Sequence, residues 1–141
     1  MSITGLEVFD STVHKTNSWL KGLMEELRWQ DRRKAYLALR ATLHALRDRL
    51  TVEEVAQLGA QLPMLIRGFY YEGWDPTRKP LKIRHKDEFL GRIVQELRSG
   101  DAVDPERIAR AVFKLLADRV TEGEIADVKH VMPSEIRDLW P

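Results

Sequence analysis

Apolar side chains recur along the chain at the three- and four-residue intervals of helices that bury one face. From Leu6 to Leu27 the stripe is Leu6, Phe9, Val13, Leu20, Met24 and Leu27, with Asn17 as its one polar intrusion, which predicts a helix over about residues 5–29. Trp19 and Leu23 widen that stripe to one side, so this helix is expected to touch two neighbours. The polar cluster Gln30-Asp31-Arg32-Arg33-Lys34 reads as the connection to a second helix, which carries Tyr36, Leu39, Leu43, Leu46 and Leu50 on one face. The helical pattern resumes near Asp87 with Phe89, Ile93, Val94 and Leu97, and Ser99-Gly100 is a natural stop. Asp104-Pro105-Glu106 then reads as N-cap, first-turn proline and acidic first turn of a helix over 105–120. That helix adds a second apolar face, Ile108, Val112 and Leu115, where the earlier helix has the smaller Ala38, Thr42 and Ala45. It is expected to be the more buried of the two.

The pattern occurs twice. Leu46 to Tyr70 and Leu116 to Trp140 align without a gap at an offset of seventy residues, sharing Asp48/Asp118, Arg49/Arg119, Thr51/Thr121, Glu54/Glu124, Pro63/Pro133 and Arg67/Arg137. Both copies carry a Thr followed three residues later by Glu, the capping-box form in which the hydroxyl caps a backbone N–H and the carboxylate reaches back. Each third helix then runs about ten residues to Pro63 or Pro133, which ends it and can open a short fourth helix over 63–70 or 133–139. Upstream matches, among them Leu20/Leu90, Glu26/Glu96, Leu27/Leu97, Arg28/Arg98 and Asp31/Asp101, extend the unit to 19–70 and 89–140. The expected architecture is all-α: a single helical-bundle domain over 1–141, built from two tandem pseudo-symmetric four-helix repeats joined by an inter-repeat segment at 71–88.

Composition narrows the function classes. The chain has no Cys, so there is no disulfide framework and no thiolate nucleophile or ligand; cytoplasm is the default expectation. No run approaches the ~20 apolar residues of a membrane span. Twenty-three Lys and Arg against 22 Asp and Glu leave a net charge of +1, so any basic site must be local. His14, His44, His85 and His130 include no pair at metal-binding spacing. No phosphate-binding glycine loop, nucleophile elbow or calcium-loop spacing is present. Catalytic residues, cofactors and metals are therefore expected to be none, and the protein is not expected to be an enzyme.

At the repeat core, LRDRLTVEEVAQLGAQLPMLIRGFYYEGW, followed at the C-terminus by TEGEIADVKHVMPSEIRDLWP, resembles the bacterial domain-of-unknown-function family numbered 2267. The resemblance runs from about Phe9 to Trp140 and is specific in the Leu-Pro and Met-Pro corners and the Tyr-Tyr-Glu-Gly-Trp segment. It implies a small helical bacterial protein without established activity, cofactor or catalytic residues.

Two kinds of function remain. One is a non-catalytic protein-interaction or self-association module. The alternative is nucleic-acid or polyanion binding through the loop at 71–86, where Tyr71 and Trp74 offer stacking faces and Arg78, Lys79, Lys82, Arg84 and Lys86 offer charge. In the bland counterpart of that alternative, Trp74 folds back as a plug, Leu81 and Ile83 pack beneath the loop, and the bases keep it solvated. The repeated charges Asp48, Arg67, Asp118 and Arg137 read either as a symmetric pair of anion sites or as ties between each fourth helix and the corner at Asp48 or Asp118.

Overall fold

The computed structural model describes residues 2–98 and 103–141 and is all-helical. Its elements are α1 (Glu7–Leu27), α2 (Arg32–Arg49), α3 (Val52–Ala60), α4 (Met64–Tyr71), α5 (Lys86–Leu97), α6 (Pro105–Arg119), α7 (Glu122–His130) and α8 (Ser134–Arg137), and among the described residues there is no strand.

Local chemistry sets most boundaries. Asp31 caps α2 by accepting from the Lys34 N–H at 3.1 Å, so that helix begins inside the cluster expected to be a connection. Asp104 caps α6 through the Arg107 N–H, with Pro105 in the first turn. Thr51 and Thr121 accept from the N–H groups of Glu54 and Glu124 at 3.2 and 3.4 Å, which is half of the expected capping box. The other half is absent. The Thr121 N–H donates instead to Gln61 Oε1 at 2.9 Å, and both glutamate side chains turn inward and are buried. The helices α1 and α5 end at Arg28 and Arg98, which take the left-handed conformation at φ 58° and 47°. The stop expected at Ser99-Gly100, like the Asp101 match, lies outside the described residues.

Long helices form the centre. α2 packs against α1, α4, α5 and α6, and α6 against α1, α2, α5 and α7. The expectation that α6 is the more buried helix is corrected: eleven of the 18 residues of α2 are buried against seven of the 15 in α6. Ala35, Ala38, Thr42 and Ala45 are buried because small side chains let neighbouring helices approach closely, and that proximity itself excludes water. One apolar cluster runs through all eight helices, from Trp19, Leu23 and Leu27 to Ile136, Leu139 and Trp140. Among the described residues no helix is long and apolar enough to cross a membrane.

Candidate functional site

Between α4 and α5 the chain runs without helix from Glu72 to His85. Tyr71 and Trp74 are half-buried and packed against the core, not splayed toward solvent. The ring of Tyr71 meets Tyr70 edge-on at 4.9 Å and Trp74 at 5.6 Å. It also lies over Gly59, where an added Cβ would come within 2.6 Å of the Tyr71 hydroxyl, so this aromatic stack requires glycine there. Beneath the segment Ile83 is buried and Leu81 half-buried; the Leu81 N–H donates to Asp48 O at 2.9 Å and Arg49 Nε donates to Ile83 O at 2.7 Å. Arg78, Lys82 and Arg84 remain exposed, Lys79 is half-buried, and Lys86 opens α5 and pairs with Glu106 at 3.0 Å. Burial, and next the Arg84 charge, hold the Arg49 guanidinium below its ordinary pKa. The segment is thus a strap tied to the α2 corner with its bases outward.

The repeated charges differ from expectation in their partners. Arg67 Nε donates to Gly59 O at 2.8 Å and its Nη2 to Leu62 O at 2.9 Å. Seventy residues on, Arg137 Nε donates to Lys129 O at 3.2 Å and its Nη2 to Met132 O at 2.8 Å. Both arginines therefore cap the carbonyl end of the preceding helix, where acceptors are left without intrahelical donors, instead of reaching Asp48 or Asp118. Asp48 is buried, with Arg47 Nε at 3.0 Å and Arg92 Nη2 at 3.4 Å, whereas Asp118 is exposed and makes no ion pair among the described residues. Arg47 also donates to Tyr70 O at 2.7 Å and Glu72 O at 2.8 Å, fixing the end of α4. The matching position holds Ala117.

An open surface lies elsewhere, between α1 and α4. A groove of about 800 Å³ is lined by Phe9, Val13, Thr16 and Leu20 of α1, Met64, Leu65 and Phe69 of α4, and Tyr36 of α2. Thr12 sets its floor: Thr12 Oγ1 accepts from the Leu65 N–H at 3.0 Å, supplying the first turn of α4 with the cap its own Pro63 cannot give. Phe9, Met64 and Leu65 are each 45–48% exposed, and Ile3, Leu6 and Val8, at and before the start of α1, are exposed too. The lead-in is held by Asp10, whose carboxylate accepts from the Ser2 hydroxyl and the Thr4 N–H and hydroxyl; those bonds, Ser2 first, keep its pKa below the ordinary value. Periodicity had placed Phe9 in a buried stripe, because spacing shows which side of a helix is apolar but not how far along its length a neighbour covers it.

Among the described residues, no group of three or more His, Asp or Glu is arranged to hold a metal. His44 is buried, with Nδ1 2.8 Å from Glu96 Oε1 and Nε2 2.6 Å from Phe69 O, while His14, His85 and His130 are exposed. No match was found among curated proteins. A family model described as "Uncharacterized conserved protein (DUF2267)" matches residues 16–139, from the middle of α1 to the residue before Trp140, and the chain belongs to that family.

Proposed function

We propose that the protein is a non-catalytic self-association module in which the groove between α1 and α4 receives a second copy of the chain. The observation that carries this is the exposure of large apolar side chains at the groove: Phe9, Met64 and Leu65 wall it and stay about half exposed, and Ile3, Leu6 and Val8 near the start of α1 are exposed as well. Exposed apolar surface of this kind marks an interaction site, and a second copy brings the same surface to a twofold interface. Light scattering after size exclusion tests the proposal: wild type should elute near twice 16.4 kDa at tens of micromolar and Leu65→Glu as a monomer. A wild type that stays monomeric up to the highest soluble concentration overturns it.

Binding of nucleic acid or another polyanion through residues 71–86 is the weaker alternative. Arg78, Lys82 and Arg84 support it by their exposure; the packed rings of Tyr71 and Trp74 speak against base stacking. Changing Arg78, Lys79 and Lys82 together to Ala should abolish a salt-sensitive interaction under this alternative and change nothing under the first.

The same proposal includes the architecture: two four-helix units, 19–70 and 89–140, exchanged by a pseudo-twofold within one domain. Supporting it, α1 packs on α6 as α5 packs on α2, α1 on α2 as α5 on α6, and α1 on α4 as α5 on α8. The pairs α2 with α6 and α3 with α7 map onto themselves under that exchange. The ion pair Lys114–Glu26 likewise falls at the positions matching His44–Glu96. If the corners are equivalent, Arg67→Ala and Arg137→Ala should each lower stability by about 1–2 kcal/mol, the range for charged donors on helix-end carbonyls, with Arg32→Ala within about 0.5 kcal/mol of wild type. Urea denaturation reads all three, and a melt unchanged in every variant returns the arginines to the anion-site alternative.

A further inference from the structure

Glu54 and Glu124 occupy the same place in α3 and α7, three residues after the capping threonines. Each residue is only 7% exposed. α3 packs against α7, and both glutamates are buried on those two helices. Glu54 Oε1 and Glu124 Oε2 are both buried without a hydrogen-bond partner in the protein. Two ionised carboxylates at this seam would be desolvated, repelled by each other and short of donors. A single proton between them removes the repulsion and supplies a donor where the pair has only acceptors.

Among the described residues no cation acts on the Glu124 carboxyl, and Arg67 of α4, which packs against α3, is engaged by the carbonyls of Gly59 and Leu62. On α7 the next ionisable neighbour is Asp127, which adds negative charge. From α4 come Tyr70 and Tyr71, both with hydroxyls directed at Val55 O, at 2.9 and 3.4 Å. Burial raises the Tyr70 hydroxyl above its ordinary pKa, so it stays neutral. The charge of Arg47 on α2 is engaged by Asp48 and by the carbonyls of Tyr70 and Glu72. On α6, which packs against α7, Lys114 and Arg119 bond Glu26 and Ser18 of α1, and Asp118 is exposed. The remaining acids of the two first turns, Glu53 and Glu122, are exposed.

We propose that Glu54 and Glu124 form a proton-dependent latch: one shared proton holds α3 against α7, and its loss loosens that seam. Burial first, and then the hydrogen bond and charge of Glu54, push the Glu124 carboxyl up to about 8 from an ordinary 4.5. Folded chains therefore keep a proton that unfolded chains release. The contribution to stability is fully present below about pH 4.5, declines as pH rises, and is gone above about 8.

Carboxyl ¹³C NMR of the full-length wild type, titrated from pH 3 to 10, is the direct test. One carboxyl of the pair should titrate near 8, more than three units above the ordinary value. Thermal melts of wild type and Glu124→Gln supply the functional reading, since the amide is neutral and donates at every pH. The wild-type melting temperature should fall relative to the variant between pH 5 and 9, while groups common to both cancel in the difference. Both carboxyls titrating near 4.5 overturns the latch, and so does a wild-type minus variant difference that is the same at pH 5 and 9. Should the variant fail to fold, the wild-type titration alone decides.

Discussion

Arg47→Ala is expected to cost about 3–5 kcal/mol, the range found when one partner is removed from a buried ion pair. Arg47 is 4% exposed and joins three things at once: the Asp48 carboxylate, the Tyr70 carbonyl and the Glu72 carbonyl. Its removal leaves Asp48 buried with only Arg92, whose Nη2 stands at 3.4 Å, and strips the end of α4 of its donors. The strap that follows would lose its first tie, the bond from Arg47 to Glu72 O, and keep the main-chain bond from the Leu81 N–H to Asp48 O. A domain of this size holds roughly 5–15 kcal/mol in total, so the variant should remain folded but melt on the order of 10 °C lower. Urea denaturation gives the value directly. Arg33→Ala, in an exposed position at the start of α2, serves as the control and should stay within about 0.5 kcal/mol of wild type. An Arg47→Ala loss below 1 kcal/mol would show that water satisfies those carbonyls and that the buried network is incidental.

Arg47 also marks where the sequence stops being legible. Helix starts were readable because capping is a short-range act: Asp104-Pro105, Thr51 and Thr121 each declare a helix within four residues, and helices start there. Tertiary partners were not readable. Nothing at position 47 distinguishes a buried arginine from a solvated one until α4 is laid across α2, and Ala117, seventy residues on, removes it from any comparison of Leu46–Tyr70 with Leu116–Trp140. Glu54 and Glu124 carried a valid local signal, the capping box, whose carboxylate half lost to burial of both side chains on α3 and α7. The small residues of α2 were misread for a related reason: size records how much surface a residue brings, whereas burial depends on how closely the neighbours come. Neither Arg28 nor Arg98 announces a left-handed terminus, since arginine has no special tolerance for positive φ; the conformation goes with the helix-end bonds from the Arg28 N–H to Glu25 O and from the Arg98 N–H to Val94 O.

The end of the chain gives the second large effect. Trp140→Ala is expected to cost about 3–5 kcal/mol. The indole is 6% exposed and stacks on Phe113 of α6 with ring centres 4.2 Å apart and planes 13° from parallel. Phe113 in turn lies 5.9 Å from Phe89 of α5, so one aromatic row ties the C-terminal residues to two helices of the central layer. Truncation to alanine opens a cavity in that row and removes the cover of α6. Trp140→Phe separates packing from hydrogen bonding. It keeps most of the ring while deleting Nε1–H, a buried donor without a partner in the protein, so it should stay within about 1.5 kcal/mol of wild type. Position 70, which aligns with 140, gives the opposite balance. Tyr70 is fully buried and its hydroxyl donates to Val55 O at 2.9 Å, so Tyr70→Phe loses a satisfied bond and should cost about 1 kcal/mol. The three variants compared by urea denaturation test whether Trp140 acts as core and not as tail. An alanine variant within 1 kcal/mol of wild type, or a phenylalanine variant as damaged as alanine, overturns that assignment.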